Sequence, residues 1–237
     1  MTNIKGKWAL VTGASRGLGK LSAQLLADYG CNLILHSRNK SHCENFAKEL
    51  ESKEIKVICV QAELDNLSEV DAMLKEIDAL GVNVEIVLNN AGLQIAYRTD
   101  YLATPANDYE VSFRVNTISP MMICYHFMPK MMAAGFGRIV NVTSGIDKDP
   151  QQAGYSASKA ALDKVTKDLG TKVEGTDVMI NLADPGWCRT DLGGQSAPNA
   201  PESALPGLVL GIFADDKKSG RIFSAQEYAG KKLEDIL

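Results

Sequence analysis

The chain has 237 residues, is 45% hydrophobic and carries a formal net charge of -4, which supplies a sizeable core and argues against a protein that coats nucleic acid or anionic membrane. Cys31, Cys43, Cys59, Cys124 and Cys188 are scattered without CxxC spacing, and His36, His42 and His126 are equally dispersed, so reduced thiols and no metal site are expected. Without a signal-like start or a run of roughly 18 apolar residues, a cytoplasmic protein with no membrane partner is expected.

Short apolar runs alternate with segments of helical period. Trp8 to Val11 reads as a buried strand, followed by a glycine-rich turn and a helix from about Leu18 to Tyr29 that Gly30 ends. Asn32 to Leu35 is the second strand, a helix carries Phe46 and Leu50, and Lys56 to Val60 is the third strand. Val70, Met73, Leu74 and Ile77 mark one face of the next helix. Val84 to Leu88 is a fourth strand, Phe113 to Met132 a long apolar helix, and Arg138 to Val142 a fifth strand. A helix from about Tyr155 to Val173 follows, then strands at Val178 to Leu182 and Arg221 to Phe223.

No Pro/Gly/Ser-rich or charged linker divides the chain, so residues 1–237 are read as one domain. Strands alternating with helices require right-handed crossovers. The expected fold is α/β: a Rossmann-type, doubly wound parallel sheet of about seven strands with helices on both faces. In such a sheet, ligands lie beyond the carboxyl ends of the strands.

After the first strand comes Thr12-Gly13-Ala14-Ser15-Arg16-Gly17-Leu18-Gly19. Glycine suits a turn of positive φ or a close approach to a ligand, and the following helix N-terminus presents free N–H groups and a positive dipole end to a phosphate. Tyr155 and Lys159, four apart on a helix, share a face. A phenol with an ordinary pKa of about 10 donates a proton more readily beside an ammonium, as carbonyl reduction requires.

The spacing TGxxxGxG, with Asn89-Asn90-Ala91-Gly92 after the fourth strand and Tyr155-Ser156-Ala157-Ser158-Lys159 after the fifth, resembles the short-chain dehydrogenase/reductase family over nearly the whole chain. The resemblance implies that Gly13, Ser15, Arg16, Gly17, Leu18 and Gly19 hold the phosphates of a dinucleotide, and that Asn90, Ala91 and Gly92 line the adenosine ribose side. It implies Tyr155 as general acid and base, Lys159 as its partner and ribose ligand, Ser144 as the group holding the substrate oxygen, and Asn116 as organiser of a proton-relay water. Thr143 competes with Ser144 because the segment from Ser144 to Tyr155 is short for the family.

The cofactor is expected to be NADP. An acidic residue at the end of the second strand would bind the ribose 2′-OH of NAD, but the chain reads Leu35-His36-Ser37-Arg38 there. Ser37 and Arg38, with Arg16, suit an additional phosphate. Glu63 and Leu64 stand where the family contacts adenine with an Asp and an aliphatic residue, with Asp65 as the competing register.

Pro185, Gly186, Cys188 and Thr190 resemble the family's PGxxxT segment beside the nicotinamide. Cys188 is not read as a nucleophile, since no histidine stands suitably near it in sequence. Residues at about 190–206, rich in Gly, Pro and Ala, read as a mobile substrate lid or a disordered connector.

The expected function is an NADP(H)-dependent oxidoreductase interconverting a small-molecule carbonyl and an alcohol. A 3-oxoacyl-carrier-protein reductase, with Arg98 and Arg189 near the pocket mouth, and a non-catalytic NADP-binding sensor are the alternatives. By analogy with the family, the chain is expected to form a homodimer or homotetramer.

Overall fold

The computed structural model describes residues 1–237. Seven strands, β1 (Trp8–Val11), β2 (Asn32–Ser37), β3 (Val57–Gln61), β4 (Val84–Asn89), β5 (Gly137–Val142), β6 (Val178–Asp184) and β7 (Ile222–Ser224), form one sheet in the order β3-β2-β1-β4-β5-β6-β7. Every pairing is parallel. The chain moves outward from β1 through β2 to β3, then crosses back to place β4 on the other side of β1. That reversal opens a crevice at the carboxyl ends of β1 and β4.

Side chains alternate across the sheet because a strand has period two. Ala9, Val11, Leu33, Leu35, Ile86 and Leu88 face helices α1 (Gly17–Asp28) and α2 (Ser41–Glu51) and a short α7 (Leu210–Phe213). Leu10, Ile34, Val87, Ile139 and Ile180 face α3 (Leu67–Ala79), α5 (Ser119–Ala134) and α6 (Ala153–Val173) on the other side. Burial on both faces explains why these strands read as continuous apolar runs.

The long helix expected over Phe113 to Met132 is interrupted. α4 covers Ala106–Phe113, a π turn covers Arg114–Ile118, and α5 follows. Pro120 lies four residues after Asn116 and has no N–H, so the ordinary helical bond to the Asn116 carbonyl cannot form. The helix widens there, as helices often do at functional positions.

Arg138, fully buried at the start of β5, donates to Asp177 Oδ1 at 2.6 Å, to the Ala214 carbonyl at 3.1 Å and to Thr2 Oγ1 at 3.1 Å. It ties three distant segments at the end of the sheet away from the crevice.

Candidate active site

The crevice is built from turns that brace one another. Thr12 Oγ1 accepts from Ala91 N at 3.0 Å, and Asn90 Nδ2 donates to the Thr12 carbonyl at 3.0 Å. Asn90 therefore uses its side chain to hold the first turn. His36 is buried beneath: its Nδ1 accepts from Gly13 N at 3.3 Å and its Nε2 faces the Ala62 carbonyl at 3.1 Å, which requires the neutral tautomer with hydrogen on Nε2. Burial lowers its pKa to about 4, consistent with a neutral strut.

The first turn fits a dinucleotide phosphate. Gly13 and Gly17 have positive φ, and a Cβ on Gly19 would lie 2.2 Å from the Gly13 carbonyl oxygen. Arg16, the residue before α1, is extended and makes no side-chain cap, and the first turn of α1 has no acidic residue. The leading N–H groups and positive dipole end of α1 are therefore left for an external anion.

Arg16 and Arg38 both project from the crevice rim. Arg16 pairs with Asp191 at 2.7 Å, and Arg38 lies 3.7 Å from Glu63 Oε1. Ser37 differs from the expectation of a free phosphate ligand: it is buried and its hydroxyl donates to the Asn39 carbonyl at 2.7 Å. Leu64 is also buried, and its carbonyl accepts from Ser119 Oγ at 2.6 Å.

Beyond β5 the chain brings Ser144, Tyr155 and Lys159 together. α6 begins at Ala153, two residues before the expected start, so both Tyr155 and Lys159 lie on its buried face with Ser158 and Leu162. Gly154 permits close packing on α4, since a Cβ there would lie 2.9 Å from the Asp108 carbonyl oxygen.

Lys159 Nζ donates to the Val142 carbonyl at 2.8 Å. Burial lowers its pKa to about 8, while the carboxylates of Asp163 and Asp184 pull upward. For Tyr155 the balance runs opposite to the sequence-based expectation. Burial raises the phenol pKa and the Asp184 carboxylate adds to it, while Ser144 is near enough to pull it down. The Lys159 ammonium is turned to the strand carbonyl, away from the phenol's balance of charges.

Thr143 and Ser144 have different surroundings. The Thr143 hydroxyl donates to Asp163 Oδ1. Ser144 Oγ accepts from Ile146 N at 3.3 Å and lies beside the phenol. Asn116 braces the framework: its Oδ1 accepts from Leu93 N at 2.8 Å, and its Nδ2 donates to the Leu93 carbonyl at 2.8 Å and to Ser158 Oγ at 3.0 Å. Ser158 in turn donates to the Tyr155 carbonyl at 2.7 Å. Sequence reasoning passed over Ser158 and His36, although each lies within or beside a motif it had singled out.

Gly92 faces the same space. A Cβ there would lie 3.6 Å from both Lys159 Nζ and Asn116 Oδ1, and 3.9 Å from Leu192 Cδ1. The segment read as a mobile lid or a disordered connector carries internal hydrogen bonds and forms a strap. Arg189 N donates to the Asn199 carbonyl at 2.9 Å, Asn199 N to the Trp187 carbonyl at 3.2 Å, and Gly193 N to Thr190 Oγ1 at 3.1 Å. Its small residues permit tight turns, for a Cβ on Gly193 would meet the Cys188 carbonyl oxygen at 2.1 Å. Thr190 Cγ2 would lie 3.5 Å from a Cβ on Gly17, so the strap reaches the phosphate turn.

Cys188 is buried, its thiol donates to the Pro185 carbonyl at 3.3 Å, and burial raises its pKa. These features suit a structural thiol. Arg98 is held by Asp108 through contacts of 2.6 and 2.9 Å, and Arg189 donates to the Ala197 and Pro198 carbonyls at 3.1 and 2.7 Å. Both guanidiniums are engaged by groups of this chain, Arg98 by a carboxylate and Arg189 by neutral carbonyls.

Sheet order, glycine turn and the Tyr155–Lys159 pair define a Rossmann-type oxidoreductase. Residues 7–200 match the family model for short chain dehydrogenase, and the chain belongs to that family. Among curated relatives, oxidoreductase UcpA of Salmonella typhimurium is 30% identical, covering 90% of this chain and 82% of that protein. The 3-oxoacyl-[acyl-carrier-protein] reductase FabG of Aquifex aeolicus is 28% identical, covering 92% and 89%. A crystal structure of 3-oxoacyl (acyl-carrier-protein) reductase from Agrobacterium tumefaciens with NADP bound is 23% identical, has a TM-score of 0.81 and covers 93% of each chain. No helix of the protein is long and apolar enough to cross a membrane.

Proposed function

We propose that the protein is an NADP(H)-dependent oxidoreductase that interconverts a small carbonyl compound and its primary or secondary alcohol. The observation that carries this reading is the meeting of Tyr155, Ser144 and buried Lys159 beside an uncapped glycine-rich turn. The turn residues Gly13 to Gly19 hold the cofactor phosphates, Arg16 and Arg38 meet the 2′-phosphate, and residues 185–190 flank the nicotinamide. When bound, the cofactor supplies the hydride.

Ser144 holds the substrate oxygen and Tyr155 donates the proton to it in reduction, or accepts it in oxidation. The raised phenol pKa keeps Tyr155 protonated at neutral pH, the form needed for reduction. Lys159 would hold the nicotinamide ribose, and its ammonium, once released from the Val142 carbonyl, would stabilise the phenolate as it forms. Asn116 fixes the Leu93 loop and the Ser158 turn of α6, which sets the direction of Tyr155. The strap at 190–206 covers the substrate side.

A screen of ketones, aldehydes and 3-oxoacyl thioesters by loss of NADPH absorbance tests the reading, with Tyr155→Phe as control. Turnover that survives Tyr155→Phe would refute the role of Tyr155. Binding of NADPH without turnover on any compound would favour a sensor. The relationship to FabG supports 3-oxoacyl thioesters as the second substrate class to examine. We also place the enzyme in the cytosol as a homodimer or homotetramer, which light scattering and cell fractionation check.

A further inference from the structure

At the end of β6, immediately before Pro185-Gly186, stands Asp184. Its Oδ1 accepts from Gly186 N at 2.9 Å, which fixes the carboxylate plane. The other oxygen, Oδ2, points toward the residue next to Ser144: it lies 2.7 Å from where a Cβ on Gly145 would be. Any side chain at position 145 would have to displace it, so glycine there leaves space for the carboxylate. β5 and β6 run side by side, with Val142 opposite Ala183 and Thr143 N donating to the Ala183 carbonyl at 2.9 Å. The carboxylate therefore shares the strand ends that deliver Ser144. It is also among the charges felt by both Tyr155 and Lys159.

We infer that Asp184 is a specificity-determining residue, whose Oδ2 accepts a hydrogen bond from a hydroxyl or ammonium group carried close to the substrate's reacting carbonyl. This rests on the carbonyl-alcohol reading above. A fixed carboxylate has acceptor capacity and no donor when ionised. It therefore favours a donor on the substrate and repels a carboxylate at the same position. The substrate class it selects is a hydroxy- or aminocarbonyl compound rather than an oxo acid. Hydrogen bonds to a charged group are strong enough to make about a tenfold to hundredfold difference in kcat/KM.

Hydroxyacetone, butanone and pyruvate are similar in size and differ in the group beside the carbonyl. The test compares kcat/KM for the three with NADPH in the wild-type protein, Asp184→Asn and Asp184→Ser. Asn keeps an Oδ1 acceptor for Gly186 N and removes the charge, and Ser keeps a shorter acceptor. Far-UV circular dichroism and NADPH affinity establish that each variant is folded. In parallel, binding of each compound to the NADPH complex is read by nicotinamide fluorescence, which needs no turnover.

The expected result is that wild type prefers hydroxyacetone over butanone by about tenfold or more. Both variants should lose most of that preference, and pyruvate should improve in Asp184→Asn. Equal use of hydroxyacetone and butanone by wild type, or an unchanged ratio in both variants, overturns the inference. Absent turnover with the binding preference intact rejects the carbonyl-reductase reading and retains the role of Asp184. Turnover without any preference rejects Asp184 alone, and absence of both turnover and binding overturns the inference too.

Discussion

Replacing Lys159 by Met should make the cofactor-free protein more stable at neutral pH while abolishing its activity. The buried ammonium has its pKa lowered from 10.5 to about 8, first by burial and against the attraction of Asp163 and Asp184. At about 1.4 kcal/mol per pH unit, that fall corresponds to about 3 kcal/mol of folding free energy spent on keeping the group charged at pH 7. Met also loses the hydrogen bond to the Val142 carbonyl, which costs about 1 kcal/mol at every pH. The net gain at pH 7 is therefore about 2 kcal/mol.

The sign of the pH dependence follows from proton binding. Below about pH 8 Lys159 is protonated in both folded and unfolded chains. Between about 8 and 10.5 only the unfolded chain keeps the proton, so wild-type stability gains from rising pH and the variant does not. Urea unfolding at steps between about pH 6.5 and 10.5 measures the difference between the two proteins. It should shrink through that window and change sign near its upper end. A difference independent of pH would refute the assignment of a costly buried ammonium.

Gly19→Ala places a methyl 2.2 Å from the Gly13 carbonyl oxygen and 2.5 Å from Asn90 Nδ2. The turn must open, at a cost of about 1–3 kcal/mol, and NADPH affinity measured by fluorescence should fall by about tenfold or more. Arg38→Asp exchanges a guanidinium for a carboxylate beside Glu63, so KM for NADPH should rise relative to NADH by about tenfold or more; retained NADPH preference would sink the assignment. Arg138→Met leaves Asp177 and the Ala214 carbonyl without their buried donor. Unfolding experiments should show a loss of about 1–3 kcal/mol, from the carbonyl left without a donor, with kcat little changed because Arg138 lies at the far end of β5.

How far the site is legible without coordinates depends on whether its parts are local. The glycine turn, the Asn-Asn-Ala-Gly turn and the Tyr155–Lys159 spacing are each short enough to read along the chain. Asn90 is different: its motif is visible, but its side chain bonds the turn after β1, 78 positions away for Thr12. Arg98 and Arg189 read as cations near the pocket mouth, and nothing beside them in sequence announces Asp108 or the strap carbonyls as their partners. The small residues that suggest a lid also let the strap turn tightly against Cys188 and Thr190.

The amino-acid sequence by itself determined the alternation of strands and helices, the place of the crevice and the helical spacing of Tyr155 and Lys159, because periodicity and turn chemistry act over a few residues. Only the tertiary structure decided that Lys159 donates to Val142, that Thr143 is engaged with Asp163 while Ser144 stands by the phenol, and that Asp184 turns its free oxygen toward Gly145. Those outcomes depend on which strand ends and helices meet, and on how much water their meeting excludes; both are properties of the packed fold that no local pattern encodes.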